Sequence, residues 1–565
     1  MLDLTAAPFH LDAEGVAWTT TTLASLSTEQ KIGQLFCMLA YDSSPETLDD
    51  FSENRQVGGL MLRPMPPAER AEVITRLQTR SKVPFLIAGN LEAGSKPTVS
   101  EGTFTGNNMM LGATGSADLT RRAGHVIGKE SRAAGVNWAF APVIDLDINW
   151  RNPITGTRTF GSDTDLVAAL GSAWIEAVEA EGVATSAKHF PGDGVDERDQ
   201  HLVASVNTMT PDEWDATYGE VYRAAIAAGT KTIMAGHIML PEYSKALRPG
   251  LADEDCLPGS LAPELLGDLL REKLGFNGLI VSDATSMIGM TTSMPRAQAV
   301  PQAIAAGCDM FLFTKNLDED FAYMRAGVAD GRISADRLDE AVTRVLALKA
   351  SLGLHTSDNL PVEDAATVIG AQAHQDLADE VADRAVTLVK EEPGVLPLTP
   401  ERYRRVLVYR LELDVPGYQQ AQRSNALDVF IDKLTAEGHE VTTWVQEKEG
   451  FEGFLVSAEE MKRDYDLIVY AANLPVKSNQ TVVRIEWALP MGVNGPAFIT
   501  EIPTVFVSLA NPYHLVDVPR IRTVVNAYAS EEHVIDAVIE KLAGRSKFTG
   551  VSPVDAFCGR WDTRL

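Results

Sequence analysis

Three short stretches of this chain hold side chains that could do chemistry together. Lys188-His189-Phe190-Pro191-Gly192-Asp193-Gly194 is followed by Asp199-Gln200-His201, and Ile280-Val281-Ser282-Asp283 ends an apolar run on a carboxylate. An aspartate two residues before a histidine in a glycine-rich loop can accept the imidazole N–H, fix its tautomer and raise its basicity. His201 could then donate a proton near neutral pH. An aspartate at a strand end, ionised beside cations such as Lys188 or Arg158, is a competent nucleophile toward an anomeric carbon. A donor for the leaving oxygen and a carboxylate nucleophile are what glycoside cleavage with retention requires. The donor here is a histidine. Blander readings exist for both: Asp283 as the N-cap of the segment after it, and His201 as a solvated histidine behind the acidic run 196–199.

Such residues must be brought together by regular elements. Short β-branched runs at 32–38, 59–62, 85–89, 138–143, 185–189, 232–236, 278–282 and 310–313 read as strands, with long amphipathic segments such as 117–134, 165–181 and 212–228 between them. Thr210 as N-cap, Pro211 at the first helical position and Glu213 three residues on give one clear helix start. Eight alternating units fit a (β/α)8 TIM-type barrel, in which strand C-termini carry the chemistry. On that reading Glu92 follows the third strand, Asp145 the fourth, Lys188 and His189 end the fifth, His237 the sixth and Asp283 the seventh.

The last barrel helix, 335–352, gives way to a polar break at 353–361. A second alternating rhythm follows, with strands expected at 386–389, 406–408, 440–444, 467–470, 505–508 and 524–527 and helices at 426–437 and 532–542. The expected fold class is therefore α/β: a catalytic barrel over 1–353, a linker over 354–380, and a doubly wound α/β domain over 381–565.

Composition narrows the partners. With 78 Asp and Glu against 49 Lys and Arg, the formal charge is −29, which repels nucleic acid and anionic membranes. Cys37, Cys256, Cys308 and Cys558 show no metal-knuckle spacing and read as reduced structural thiols. The N-terminal residues lack a basic start with a long apolar run, and no segment is long and apolar enough to span a bilayer, so a cytoplasmic protein without metal or cofactor is expected.

These motifs resemble glycoside hydrolase family 3, specifically its β-N-acetylglucosaminidase branch. Lys-His-Phe-Pro-Gly-Asp-Gly with the Asp-x-His after it, and Gly-Phe-Asn-Gly-Leu-Ile-Val-Ser-Asp downstream, carry the likeness. The stretch 152–161 is similar to that branch's arginine loop, 305–310 to its late barrel strand, and 385–398 to the start of the second domain in two-domain members. The resemblance implies Asp283 as nucleophile, His201 as general acid/base and Asp199 as its partner. It also implies that Arg158, Lys188 and His189 hold the non-reducing N-acetylglucosamine, whose oxygens suit cationic donors. Asn90, which can donate and accept, and Asp145, His237 and Met287 are expected to complete the sugar site. One departure stands out. Where the family often has Asp-Gln-Glu-Gly-Gly and then arginine, this chain has Asn90-Leu91-Glu92-Ala93-Gly94 and then Ser95-Lys96, so that arginine of the sugar clamp is missing.

The leading expectation is a retaining exo-β-N-acetylglucosaminidase acting on a small glycoside. A β-N-acetylglucosaminide phosphorylase using inorganic phosphate is the close alternative, because an imidazole, unlike a second carboxylate, does not repel the incoming anion. A metal-dependent barrel hydrolase is more distant: it needs a His-x-His on the first strand, and Gly33–Met38 has none. A non-catalytic sugar-binding barrel would need neither Asp283 nor the Asp199–His201 pair.

Overall fold

The computed structural model describes residues 2–356, 360, 365–412, 424–444, 456–481, 484–487, 489 and 492–565. The part of the expected linker at 357–359 and 361–364 lies outside the described residues. Two compact units form: residues 2–105, 117–152 and 163–375 make the first, and 106–116, 153–162 and 376–565 the second. The second thus includes two segments that the sequence reading assigned to the barrel.

The first unit is a (β/α)8 barrel. Its parallel strands are β1 (Phe36–Ala40), β2 (Gly59–Leu62), β3 (Leu86–Gly89), β4 (Trp138–Ala139) and β5 (Ala184–Phe190), then, after the short β6 (Ser205–Val206), β7 (Thr232–Ala235), and, after β8 (Ile238–Met239), β9 (Leu279–Ser282) and β10 (Phe311–Leu312). The order β10-β1-β2-β3-β4-β5-β7-β9 is closed by a parallel bridge from Val281 to Met310. β6 and β8 pair with each other outside the barrel wall. Cys37, Leu86, Trp138, Ala184, Leu279 and Leu312 from six strands share one buried cluster, so the interior is packed rather than hollow.

Three expected elements differ for physical reasons. The first strand starts at Phe36, not at 32, because Ser27 and Gln30 form a reciprocal capping box that launches a helix over Thr28–Gln34. The fourth strand pairs regularly only at Trp138–Ala139: Pro142 has no N–H to give to a ladder, and the wall resumes in a single bridge from Val143 to Lys188. The helix expected over 212–228 is two helices, Pro211–Ala216 and Tyr218–Ala227. At the break the Thr217 hydroxyl donates back to the Glu213 carbonyl at 2.7 Å, a local bond that competes with the helical ladder. The capping box at Thr210 and Glu213 is present.

The second unit is built on a six-stranded sheet. Its strands are β11 (Thr387–Lys390), β12 (Arg405–Glu412), β13 (Glu440–Thr443), β14 (Leu467–Asn473), β15 (Thr504–Ser508) and β16 (Thr523–Asn526), ordered β11-β16-β15-β14-β12-β13. All pairs are parallel except β11 with β16. The order reverses at β12, as in doubly wound folds. The four cysteines are free thiols, three of them buried, and no helix among the described residues is long and apolar enough to cross a membrane.

Candidate active site

β5 is buried along its whole length and delivers Lys188 and His189 to the C-terminal end of the barrel. The Lys188 ammonium pairs with the Glu92 carboxylate, from the segment after β3, at 2.7 Å. Asp145, from the segment after β4, takes both nitrogens His189 offers on that side: the backbone N–H at 3.1 Å and Nδ1 at 2.7 Å. With Nδ1 donating to a carboxylate, Nε2 is the ring atom left for a ligand.

Past β5 the chain turns sharply. Gly192 sits at φ +125°, and a Cβ there would lie 2.2 Å from the Tyr218 ring, so the turn admits only glycine. In the loop beyond, one Asp199 oxygen accepts from the His201 backbone N–H at 2.8 Å and meets the ring Nδ1 at 2.7 Å. Asp199 is buried while the imidazole is 28% exposed, so the carboxylate works behind a ring that faces out. Gln200, between them, points the other way. Its amide donates to Asp193 at 3.2 Å and its carbonyl oxygen accepts from the His237 N–H at 2.8 Å. Asp193 is held in turn by Asn152 at 3.0 Å.

Asp283 leaves the end of β9 with its N–H on the Ala235 carbonyl at 2.8 Å. One carboxylate oxygen accepts from the Ala284 N–H at 2.7 Å; the other is buried and takes no hydrogen bond. Burial alone would raise this carboxyl's pKa, but attraction to the neighbouring imidazoles, His189 foremost, together with the Ala284 N–H, outweighs it and holds the group below the ordinary aspartate value. The side chain caps no helix: the next one, Ile288–Thr291, begins after Met287 without a side-chain cap. His237 donates from Nε2 to the Ala284 carbonyl at 3.1 Å, so its Nδ1, 2.8 Å from Ser260 Oγ, accepts. Burial lowers its pKa, which favours this neutral tautomer.

The loop carrying Asp283 is clamped from outside. Arg296 donates to the Thr285 carbonyl at 2.7 Å and to its hydroxyl at 3.1 Å, while its Nε and Nη2 grip buried Asp320 at 2.7 and 2.5 Å. Met287, four residues past Asp283, is buried in the same loop. Asn90 directly follows β3 and is exposed, its carbonyl accepting from Thr98 at 3.1 Å. Arg158 is carried by the segment grouped with the second unit, where its guanidinium donates to the Ile154 carbonyl at 3.3 Å. Sequence reasoning singled out neither Ser260 nor the Arg296–Asp320 clamp. It quoted Gln200 only as the middle of a motif. Among the described residues no group of acidic, histidine or cysteine side chains has metal-site geometry.

One barrel rim therefore gathers Glu92, Asp145, Lys188, His189, His201, His237 and Asp283 around strand C-termini. A sequence model described as the glycosyl hydrolase family 3 N terminal domain matches residues 27–348, more than half the chain. The chain belongs to glycoside hydrolase family 3. It is accordingly an enzyme of the glycoside hydrolase class. A protein from Cellulomonas fimi named β-N-acetylglucosaminidase/β-glucosidase is 59% identical over 565 residues, 100% of both chains. A solved β-glucoside phosphorylase, BglX bound to 2FGlc, is 41% identical with a TM-score of 0.93 over 99% of each chain. A family 3 β-N-acetylglucosaminidase structure from Paenibacillus sp. str. FPU-7 is 26% identical with a TM-score of 0.78, covering 94% of this chain and 99% of that one.

Proposed function

We propose that this enzyme is a retaining, exo-acting β-N-acetylglucosaminidase that forms a covalent glycosyl–Asp283 intermediate. The observation that carries the reading is the pairing of a strand-end aspartate, held below the ordinary carboxyl pKa beside His189, with an Asp199–His201 dyad whose ring faces solvent. Asp283 attacks the anomeric carbon while His201, oriented by Asp199, protonates the departing oxygen. The same imidazole, now neutral, accepts a proton from the incoming acceptor in the second step. Lys188, His189, Asn90 and Met287 hold the sugar and Asp145 acts by fixing His189, whereas His237, buried with both ring nitrogens on Ser260 and Ala284, supports the loop behind Asp283 instead. The name of the Cellulomonas fimi relative supports N-acetylglucosaminides and glucosides as the substrate class. The four free cysteines suit a reducing, cytoplasmic setting.

A second reading has its own support. The phosphorylase structure, alike over nearly the whole of both chains, favours phosphate as an acceptor beside water. A histidine acid/base presents the incoming anion with an imidazole where a carboxylic acid, once it had given up its proton, would present a second negative charge. Product analysis on an aryl β-N-acetylglucosaminide with and without phosphate tests both readings. Two inversions through the covalent intermediate give the β sugar phosphate. An α-phosphate overturns the covalent route, and no phosphate ester at millimolar phosphate leaves hydrolysis alone.

A further inference from the structure

Among the described residues of the first unit, the exposed large apolar side chains are Tyr41, Ile148, Leu202, Ile288 and Leu360. The first four lie beyond strand C-termini: Tyr41 directly after β1, Ile148 after β4, Leu202 after β5 and Ile288 after β9. Exposure of this kind without a function would fall at both ends of the barrel. Here it gathers on the catalytic face.

Two of the four adjoin His201. Leu202 follows it in sequence, and the Ile288 N–H donates to the His201 carbonyl at 3.1 Å. The next residue repeats the pairing, with Gly289 donating to the Gln200 carbonyl at 3.1 Å. A Cβ at Gly289 would lie 2.7 Å from that carbonyl, so the two segments run in close contact. Leu202 is 37% exposed, Ile288 41% and the His201 side chain 28%, three neighbouring groups all facing solvent. The Ile148 segment joins the same loop, Asn149 donating from its backbone to Gly194 at 2.9 Å and from its side chain to Val195 at 3.0 Å.

We propose that Leu202 and Ile288, with Ile148 beyond them, form a subsite for an apolar aglycone, an aryl or alkyl group on the glycosidic oxygen. The proposal rests on the reading of His201 as acid/base. The oxygen that His201 protonates carries the aglycone's first carbon, so the leaving group begins beside the imidazole and extends over its solvent-facing neighbours. Covering Leu202 and Ile288 removes apolar surface from water on both partners. An anionic aglycone has no such gain, because its charge keeps its own water.

The test uses the whole chain and N-acetyl-β-glucosaminides of two phenols of matched acidity, 4-tert-butylphenol and 4-(2-hydroxyethyl)phenol, so that both make the same demand for proton donation. The wild-type enzyme should favour the tert-butyl glycoside in kcat/KM by about tenfold, the scale that small apolar groups command in a pocket. In the Leu202→Ser/Ile288→Ser double variant that preference should fall to near unity. A wild-type ratio near one, or a ratio that survives the double substitution, overturns the subsite. Failure of the wild-type enzyme on both glycosides strikes the N-acetylglucosaminidase reading on which the subsite rests.

Discussion

An imidazole that gives up its proton becomes neutral, whereas a carboxylic acid becomes an anion, and this difference sits at one residue, His201. With Asp283 as nucleophile, Asp283→Ala should lower kcat by about 10⁴-fold or more without unfolding the barrel, because the side chain accepts one hydrogen bond, from the N–H of its neighbour Ala284, while its other oxygen takes none. A 2-fluoro sugar should label Asp283; labelling of Glu92 or Asp145 would show the assignment to be wrong. His201→Ala should cost about 10²-fold or more on glycosides with poor leaving groups and far less on activated aryl glycosides, which depart with little protonation. Asp199→Ala should follow the same pattern more mildly, since the ring it steadies at 2.7 Å remains. Equal losses on both substrate types would make His201 a binding residue.

At the scale of elements, the loop after β9 is only as well placed as the clamp that holds it. Arg296 reaches Thr285, two residues past Asp283, with one part of its fork and Asp320 with the other. Arg296→Lys keeps the charge but not the planar fork, so kcat should fall about 10²-fold with KM little changed, the cost of misplacing a reacting group by an ångström or so. A KM increase at constant kcat would instead make the clamp part of sugar binding. Elements of this kind explain what could be read from sequence. The barrel was legible because its strands are short apolar runs divided by amphipathic helices, and Asp283 stood out because it ends such a run. The first strand slipped because the Ser27–Gln30 capping box extends a helix into residues with strand-like composition. Ser260 on His237 and Arg296 on Thr285 carry no spacing signature: each pair is joined by the fold, 23 and 11 residues apart.

For the molecule as a whole, the barrel carries an electrostatic debt far from the strand ends that bear the chemistry. Lys349, on the helix Ala335–Ser351 that closes the barrel, is fully buried, with its ammonium on the Gln34 side-chain oxygen at 2.6 Å. Burial pushes its pKa from 10.5 down to about 7, with Cys37 opposing the shift. The sign follows from linkage. Below pH 7 the lysine is protonated in both folded and unfolded chains, and the full cost of burying its charge is present. Between about 7 and 10.5 the unfolded chain holds a proton that the folded one does not, so this group's contribution to stability rises with pH, and above 10.5 the cost is gone. At about 1.4 kcal/mol per pKa unit the effect amounts to several kcal/mol. Replacing the lysine also strands the Gln34 oxygen, a loss of about 1–3 kcal/mol that does not depend on pH. Lys349→Met should therefore be more stable than wild type at pH 6, with the advantage shrinking and reversing by pH 10. Denaturant unfolding of both proteins at pH 6, 8 and 10 measures the difference, in which groups common to the two chains cancel. A difference that stays constant from pH 6 to 10 would mean that Lys349 titrates as an ordinary lysine and that water reaches it.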